Sequence, residues 1–231
     1  MTSKAEFGAQ TEAREVIEAF VEFVRDKIIL VTGVGPNGLG AAIGHELAAQ
    51  APALLILTGR DSAKVEAIIT ELATAFPSVK TRVLIFDISS FASINTAASQ
   101  VLAYPESSID IIINNAGVMN IPTRTFSTDG FEMHLSVNYL GAFLFTNSIM
   151  PKVFASKAAS IANIASNGYE LSPFRFNDYN FENPTIKTEL WRPMPVEVRE
   201  SIFEMFSMKS QSQGAVTPLI TALDPKLPSG A

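Results

Sequence analysis

The stretch IILVTGVGPNGLGAAIGHELAAQA, residues 28 to 51, decides how the chain is read. It opens with an apolar run rich in β-branched residues and passes through Gly33, Gly35, Gly38 and Gly40. It closes in a segment of helical character. Strand, tight turn and helix is the order this implies. The same order recurs downstream. ALLILT at 53–58, RVLIF at 82–86, IDIII at 109–113 and SIANIA at 160–165 read as strands, with helices near 62–75, 90–103 and 128–148 between them. Apolar strands separated by helices of this length form a parallel sheet with both faces covered by right-handed crossovers. The expected class is α/β, a doubly wound parallel sheet.

Composition narrows the function. With 231 residues and 47% hydrophobic content, one large domain with a substantial core is expected. A formal charge of −6 argues against nucleic acid or an anionic bilayer as the main partner and leaves a small molecule. There is no cysteine, and His45 and His134 lie far apart without ligand spacing, so no metal centre is expected. Residues 1–10 carry no apolar core of the length a secretion signal needs, and no later segment approaches 18 uninterrupted apolar residues. A cytoplasmic protein without a membrane span is the expectation. Residues 11–27 set Val16, Ile17, Phe20, Val21 and Val24 on one helical stripe. That stripe suits packing on the domain or, alternatively, a partner.

The glycine-rich turn suggests a ligand. Glycines between a first strand and a first helix let a pyrophosphate approach backbone N–H groups at the positive helix end, as in a Rossmann-type site, although an ordinary tight turn is the plainer reading. Twenty residues past Gly40 stands Arg60. A basic residue there accommodates a ribose 2′-phosphate and favours NADP over NAD. Asp61 next to it can bind ribose hydroxyls or cap the following helix.

These residues resemble the short-chain dehydrogenase/reductase family over most of residues 28–166, with retinol-dehydrogenase-like members the nearest in pattern. The family's TG-x3-G-x-G is matched by Thr32, Gly33, Gly38, Leu39 and Gly40, with one extra residue in the turn. The resemblance makes Asp87 the adenine-contacting aspartate, with Ile88 beside the ring. It makes Asn114, Asn115, Ala116 and Gly117 the NNAG motif bordering the nicotinamide ribose, and Asn138 in VNYLG the active-site asparagine. It implies hydride transfer between a nicotinamide and a carbonyl or alcohol carbon.

The family's proton relay adds a serine, which Ser166 matches unless it is merely an exposed loop serine. It also needs a tyrosine with a lysine four residues on. The four residues in that place after Tyr104, Tyr139, Tyr169 and Tyr179 are Ser108, Phe143, Pro173 and Asn183. No tyrosine has the motif. Tyr179 follows Ser166 by 13 residues, which suits a catalytic tyrosine, yet RFNDYNFENP lacks a helical pattern and reads as a loop. PTIKTELW resembles the family segment after its sixth strand, with Thr188 matching the residue that touches the nicotinamide amide. On that alignment a helix and strand of roughly 30 residues are missing near Asn183, the sheet is shortened, and its open edge invites self-association. The expected organisation is a leading helix at 1–27, a dinucleotide-binding region at 28–183, and a substrate loop with a terminal helix at 184–231. Impaired catalysis, an inactive nucleotide-binding paralogue and a truncated product are the readings that follow.

Overall fold

A computed structural model describes residues 3–119, 121–165, 176–180 and 210–227. Its centre is a five-stranded parallel sheet: β1 (Ile28–Val31), β2 (Leu54–Gly59), β3 (Thr81–Ile85), β4 (Ile111–Asn114) and β5 (Ser160–Asn163). The order across the sheet is β3-β2-β1-β4-β5, so the chain winds outward from β1 in one direction and then in the other. The expected doubly wound α/β class is the observed one. Among the described residues, β5 has a neighbouring strand on one side.

Burial on both faces explains why the strands read as continuous apolar runs. Ile29, Val31, Leu55, Leu57, Ile111 and Ile113 point into one core. Leu30, Leu54, Ile56, Leu84 and Ile112 point into the other. Alternate residues of a strand face opposite sides, so a strand buried twice cannot carry a polar row.

The first face is covered by α1 (Ala13–Ala19), α2 (Leu39–Ala48), α3 (Ser62–Ala75) and a last helix, here α8 (Gln211–Leu223). In α3, Asp61 is the N-cap and accepts from the Lys64 N–H at 3.3 Å, while Val65, Ile68 and Leu72 at helical spacing are buried. Helix α8 starts in a capping box between Ser210 and Gln213 and buries Ala215, Val216, Leu219, Ala222 and Leu223. Its Ser212 hydroxyl accepts from the Ala13 N–H at 3.0 Å, joining the two ends of the chain.

The second face carries α4 (Phe91–Leu102) and a run of short helices: α5 (Met133–Leu135), a wider π-helical turn (Ser136–Gly141), α6 (Ala142–Ser148) and α7 (Met150–Phe154). Two expectations change here. The leading helix stops at Ala19 and continues as a 3-10 turn over Val21–Phe23, after which Asp26 takes a left-handed φ of 60° to enter β1. The helix expected near 128–148 begins only at Met133 and is interrupted by the π turn. No helix among the described residues is long and apolar enough to cross a membrane.

Candidate active site

The strand ends at the carboxyl edge of the sheet build the site from main chain. After β1, the Thr32 N–H donates to the Ile113 carbonyl at 3.0 Å and the Val34 N–H to the Thr58 carbonyl at 2.8 Å, which ties the glycine loop to both neighbouring strands. Thr32 is 1% exposed, and its hydroxyl accepts from the N–H groups of Asn115 and Ala116, each at 3.0 Å. The Asn115 side-chain amide answers by donating to the carbonyls of Thr32 at 2.8 Å and Gly33 at 3.1 Å. Gly33 has φ +72°, and a Cβ there would lie 2.5 Å from the Ala116 Cα. Only glycine allows that crossing of two loops. One layer deeper, the Asn114 amide donates to the Thr146 hydroxyl at 2.9 Å and to Asn163 Oδ1 at 2.8 Å, linking β4, β5 and α6.

Above this brace opens a cleft of about 750 Å³, within the usual range of small-molecule sites. Gly33, Gly38 and Leu39 form one wall, Arg60 stands at the end of β2, and Asp87 and Ile88 follow β3. Asn115, Ala116 and Gly117 form the side after β4. These nine expected residues therefore meet in one place. Thr32 and Gly40 lie behind them; a Cβ on Gly40 would approach Asn115 Nδ2 and the Gly33 carbonyl to 2.7 Å.

A dinucleotide fits this cleft in two respects. Gly38 caps α2 without a side chain that could occupy the helix end, and the Ala41 N–H already donates to the Gly38 carbonyl at 3.1 Å, so the Leu39 and Gly40 amides are the ones offered to a phosphate. Arg60 and Lys64 supply positive charge at the far rim, with Asp61 beside them. Asp87 does not compete for ligand with its full carboxylate, because Oδ1 accepts from both the N–H and hydroxyl of Ser89, at 2.8 and 2.7 Å.

The residues expected at the reacting end are more scattered. Asn138 lies in the π turn, where its Oδ1 accepts from the Val118 N–H at 2.7 Å and its Nδ2 donates to the Val118 carbonyl at 2.9 Å. A Cβ on Gly141 would sit 2.1 Å from the Ile88 carbonyl oxygen, so the turn presses directly on the β3 loop. π turns of this kind are frequent at functional sites. Tyr179 is 45% exposed and rests on Phe131, ring centroids 6.2 Å apart. Its neighbour Asn180 accepts from the Glu132 N–H at 2.9 Å and donates to the Gly130 carbonyl at 3.1 Å. Tyr179 is thus seated on the loop before α5 and is not among the residues lining the cleft. Ser166 and Thr188 lie outside the described residues, although Ile164, two positions before Ser166, lines the cleft.

Sequence reading missed the apolar lining. Val34, Phe86, Val118, Val137 and Ile164 all reach the cleft, and none carries a polar signature that would mark it. Lys64 was findable, since it follows Arg60 by four residues in a helix whose N-cap was legible.

Comparison with known proteins agrees with this geometry. The family described as short chain dehydrogenase matches residues 27–180. An oxidoreductase of Fusarium equiseti, fscI, is 34% identical over 179 residues, covering 76% of this chain and 69% of that protein. Human retinol dehydrogenase 11 is 36% identical over 156 residues, which are 68% of this chain and 48% of its own length. The chain thus spans about half the length of the retinol dehydrogenases it matches. Among solved structures, a citronellol catabolism dehydrogenase of Pseudomonas aeruginosa superposes with a TM-score of 0.53 at 27% identity, over 64% of this chain and 59% of that one. A short chain dehydrogenase of Salmonella enterica reaches 0.55 at 21% identity over 68% and 65%, a likeness of fold. With its glycine loop, NNAG brace and helix asparagine in the family's order, the chain belongs to the short-chain dehydrogenase/reductase family of NAD(P)-binding oxidoreductases.

Proposed function

We propose that this chain binds NADP(H) and acts on a carbonyl or alcohol carbon with catalysis impaired relative to its family. The observation that carries the reading is Arg60 at the rim of a cleft whose opposite wall is the uncapped start of α2. A guanidinium there suits a 2′-phosphate, as amides at a helix start suit a pyrophosphate.

A bound nicotinamide supplies or accepts hydride, and the chain must handle the accompanying proton. A phenol with a pKa of about 10 is a poor acid–base group at neutral pH unless a positive charge stabilises its phenolate. No tyrosine of this chain has a lysine four residues on, and among the described residues Tyr179 stands in a turn rather than a helix. Loss of that support removes about 100- to 10,000-fold of rate. Asn138, Ser166 and Thr188 remain the other residues expected at the reacting end. Leu190, Trp191, Met194, Phe203 and Phe206, which suit an apolar lid or equally a cover for the open sheet edge, lie outside the described residues.

The same absence favours a second reading, a nucleotide-binding protein without turnover. Fluorescence titration of the purified protein with NADPH and NADH, followed by turnover assays on aldehydes, ketones and quinones, separates the two. NADPH binding with slow reduction supports the first reading, and binding with none at all supports the second. Failure to bind either coenzyme would sink both.

A further inference from the structure

Resting on the oxidoreductase reading, we infer that His134, oriented by the buried carboxylate of Glu132, is the acid–base residue that exchanges the substrate's proton. The two side chains form a dyad. Glu132 Oε1 lies 2.7 Å from His134 Nδ1, with the carboxylate side chain 9% exposed and the imidazole 37% exposed. An ionised carboxylate only accepts, so Nδ1 carries the hydrogen and Nε2 of the neutral ring is left as a proton acceptor. Glu132 is itself held in place. Its Oε2 accepts from the Leu135 N–H at 2.9 Å, and its own N–H donates to Asn180 Oδ1 at 2.9 Å. A carboxylate so fixed sets the tautomer and direction of the ring, as the third member of a catalytic triad does.

His134 opens the helical run that carries residues to the cleft. Val137, three positions on, lines the cleft, and Asn138, four on, clasps Val118, which lines it too. Residues three and four apart share a helix face. A Cβ on Gly117 would lie 3.4 Å from Asn138 Oδ1, so this face abuts the loop after β4, and His134 stands one turn along it. The titratable residues that line the cleft itself, Arg60, Asp61, Lys64 and Asp87, follow β2 and β3 instead. The chain's other histidine, His45, pairs with Glu71 between α2 and α3 at 3.4 Å.

Imidazole exchanges protons near neutral pH without the neighbouring cation that a phenol requires. In reduction, the carbonyl carbon receives hydride from NADPH while Nε2–H of the His134 imidazolium gives its proton to the oxygen. The products are NADP⁺, the alcohol and neutral His134, which solvent reprotonates. In oxidation, Nε2 takes the hydroxyl proton as the hydride leaves carbon for NADP⁺.

Two measurements test this. Ring-nitrogen NMR at about pH 8, where an ordinary imidazole is neutral, should show His134 as the Nδ1–H tautomer in the native protein and lose that tautomer in Glu132→Gln; His134→Gln assigns the signal. Turnover is measured with saturating NADPH on a panel of aldehydes and ketones that includes 4-nitrobenzaldehyde. His134→Ala should lower kcat about 100-fold with NADPH affinity unchanged, and added imidazole should restore turnover in proportion to its concentration. Glu132→Gln should lower kcat about 10-fold with KM unchanged, the scale on which an imidazole suffers when its orienting carboxylate is lost.

A native His134 in the Nε2–H tautomer overturns the inference, as does His134→Ala with the native kcat, and either result leaves the oxidoreductase reading standing. Where His134→Ala also loses its cooperative melt, His134→Gln decides, because its amide keeps a hydrogen bond to Glu132. Slow turnover in folded His134→Gln supports the inference, and full turnover makes the imidazole a structural prop and overturns it. Native protein that binds NADPH and reduces no carbonyl of the panel removes the inference and the enzymatic reading together.

Discussion

The glycine-loop brace and the Tyr179 segment are built by different means. In the brace, the Thr32 hydroxyl and the Asn115 side-chain amide clasp the main chain of two loops. Thr32, Gly33, Asn115 and Ala116 are joined by four hydrogen bonds between β1 and β4, and they pack without room for an added methyl group. Around Tyr179, position is set by one ring contact and by the side chain of the next residue, on a loop before α5. Such bracing fixes a surface of main-chain groups, whereas a proton relay depends on a few reacting side-chain atoms in register. A chain can therefore keep a coenzyme site after its acid–base machinery has gone.

The contrast is broken most directly at Gly33. Gly33→Ala puts a Cβ 2.5 Å from the Ala116 Cα at a φ of +72°. The loops must separate, and we expect stability to fall by about 2–4 kcal/mol with loss of coenzyme affinity. Chemical denaturation and NADPH titration measure the two effects. Unchanged binding would mean that the phosphates do not rest on this turn.

Thr32→Val is the next in size. The shape is kept and the hydroxyl removed, leaving the Ala116 N–H without its acceptor and the Asn115 N–H with the Ile113 carbonyl alone. A cost of about 2 kcal/mol is expected. NADPH and NADH affinity should decline together, since on the proposed reading the brace supports the part of the cleft that takes what both coenzymes share.

Local pattern made the bracing end legible and left the rest obscure. The glycine spacing, the apolar strands and the Asp61 cap are encoded within a few residues of one another, and each was recognisable along the chain. The π turn was not. It depends on Gly141 meeting the Ile88 carbonyl and on Asn138 clasping Val118, contacts with loops 53 and 20 residues away in sequence. Helical periodicity cannot register such a partner. The end of α1 at Ala19 was hidden for a similar reason, because the apolar stripe through Phe20 and Val24 continues in a tighter turn that buries the same face.

Glu106→Gln serves as a control at the opposite edge of the sheet. Arg82 donates to both oxygens of Glu106, at 2.6 and 2.9 Å, and these bonds hold the Glu106 carboxyl below its ordinary range. With the folded value depressed, the pair's contribution is complete above the unfolded carboxylate pKa of about 4.3. It is lost as pH falls through the lower folded value. Urea melts should show the variant weaker by about 1 kcal/mol at pH 7, with the gap closing in acid. NADPH affinity at pH 7 should not change. If it does, the coenzyme site responds to global stability and the losses at Gly33 and Thr32 lose their local meaning.

The smallest effect is expected at Tyr179, and its smallness is informative. Tyr179→Phe removes one hydroxyl from a ring that is 45% exposed and keeps the ring contact with Phe131. Asn180 continues to hold the segment through Glu132 and Gly130. Stability should therefore shift by less than about 0.5 kcal/mol, and coenzyme affinity should not move. Any carbonyl reduction by the native protein should persist within about 2-fold, because no lysine stands four residues after Tyr179 to stabilise its phenolate. A fall of about 100-fold or more, with coenzyme affinity intact, would assign the hydroxyl to the proton path. The loop before α5 would then have to carry Tyr179 to the reacting atoms, and the proposed impairment of the proton relay would no longer describe this molecule.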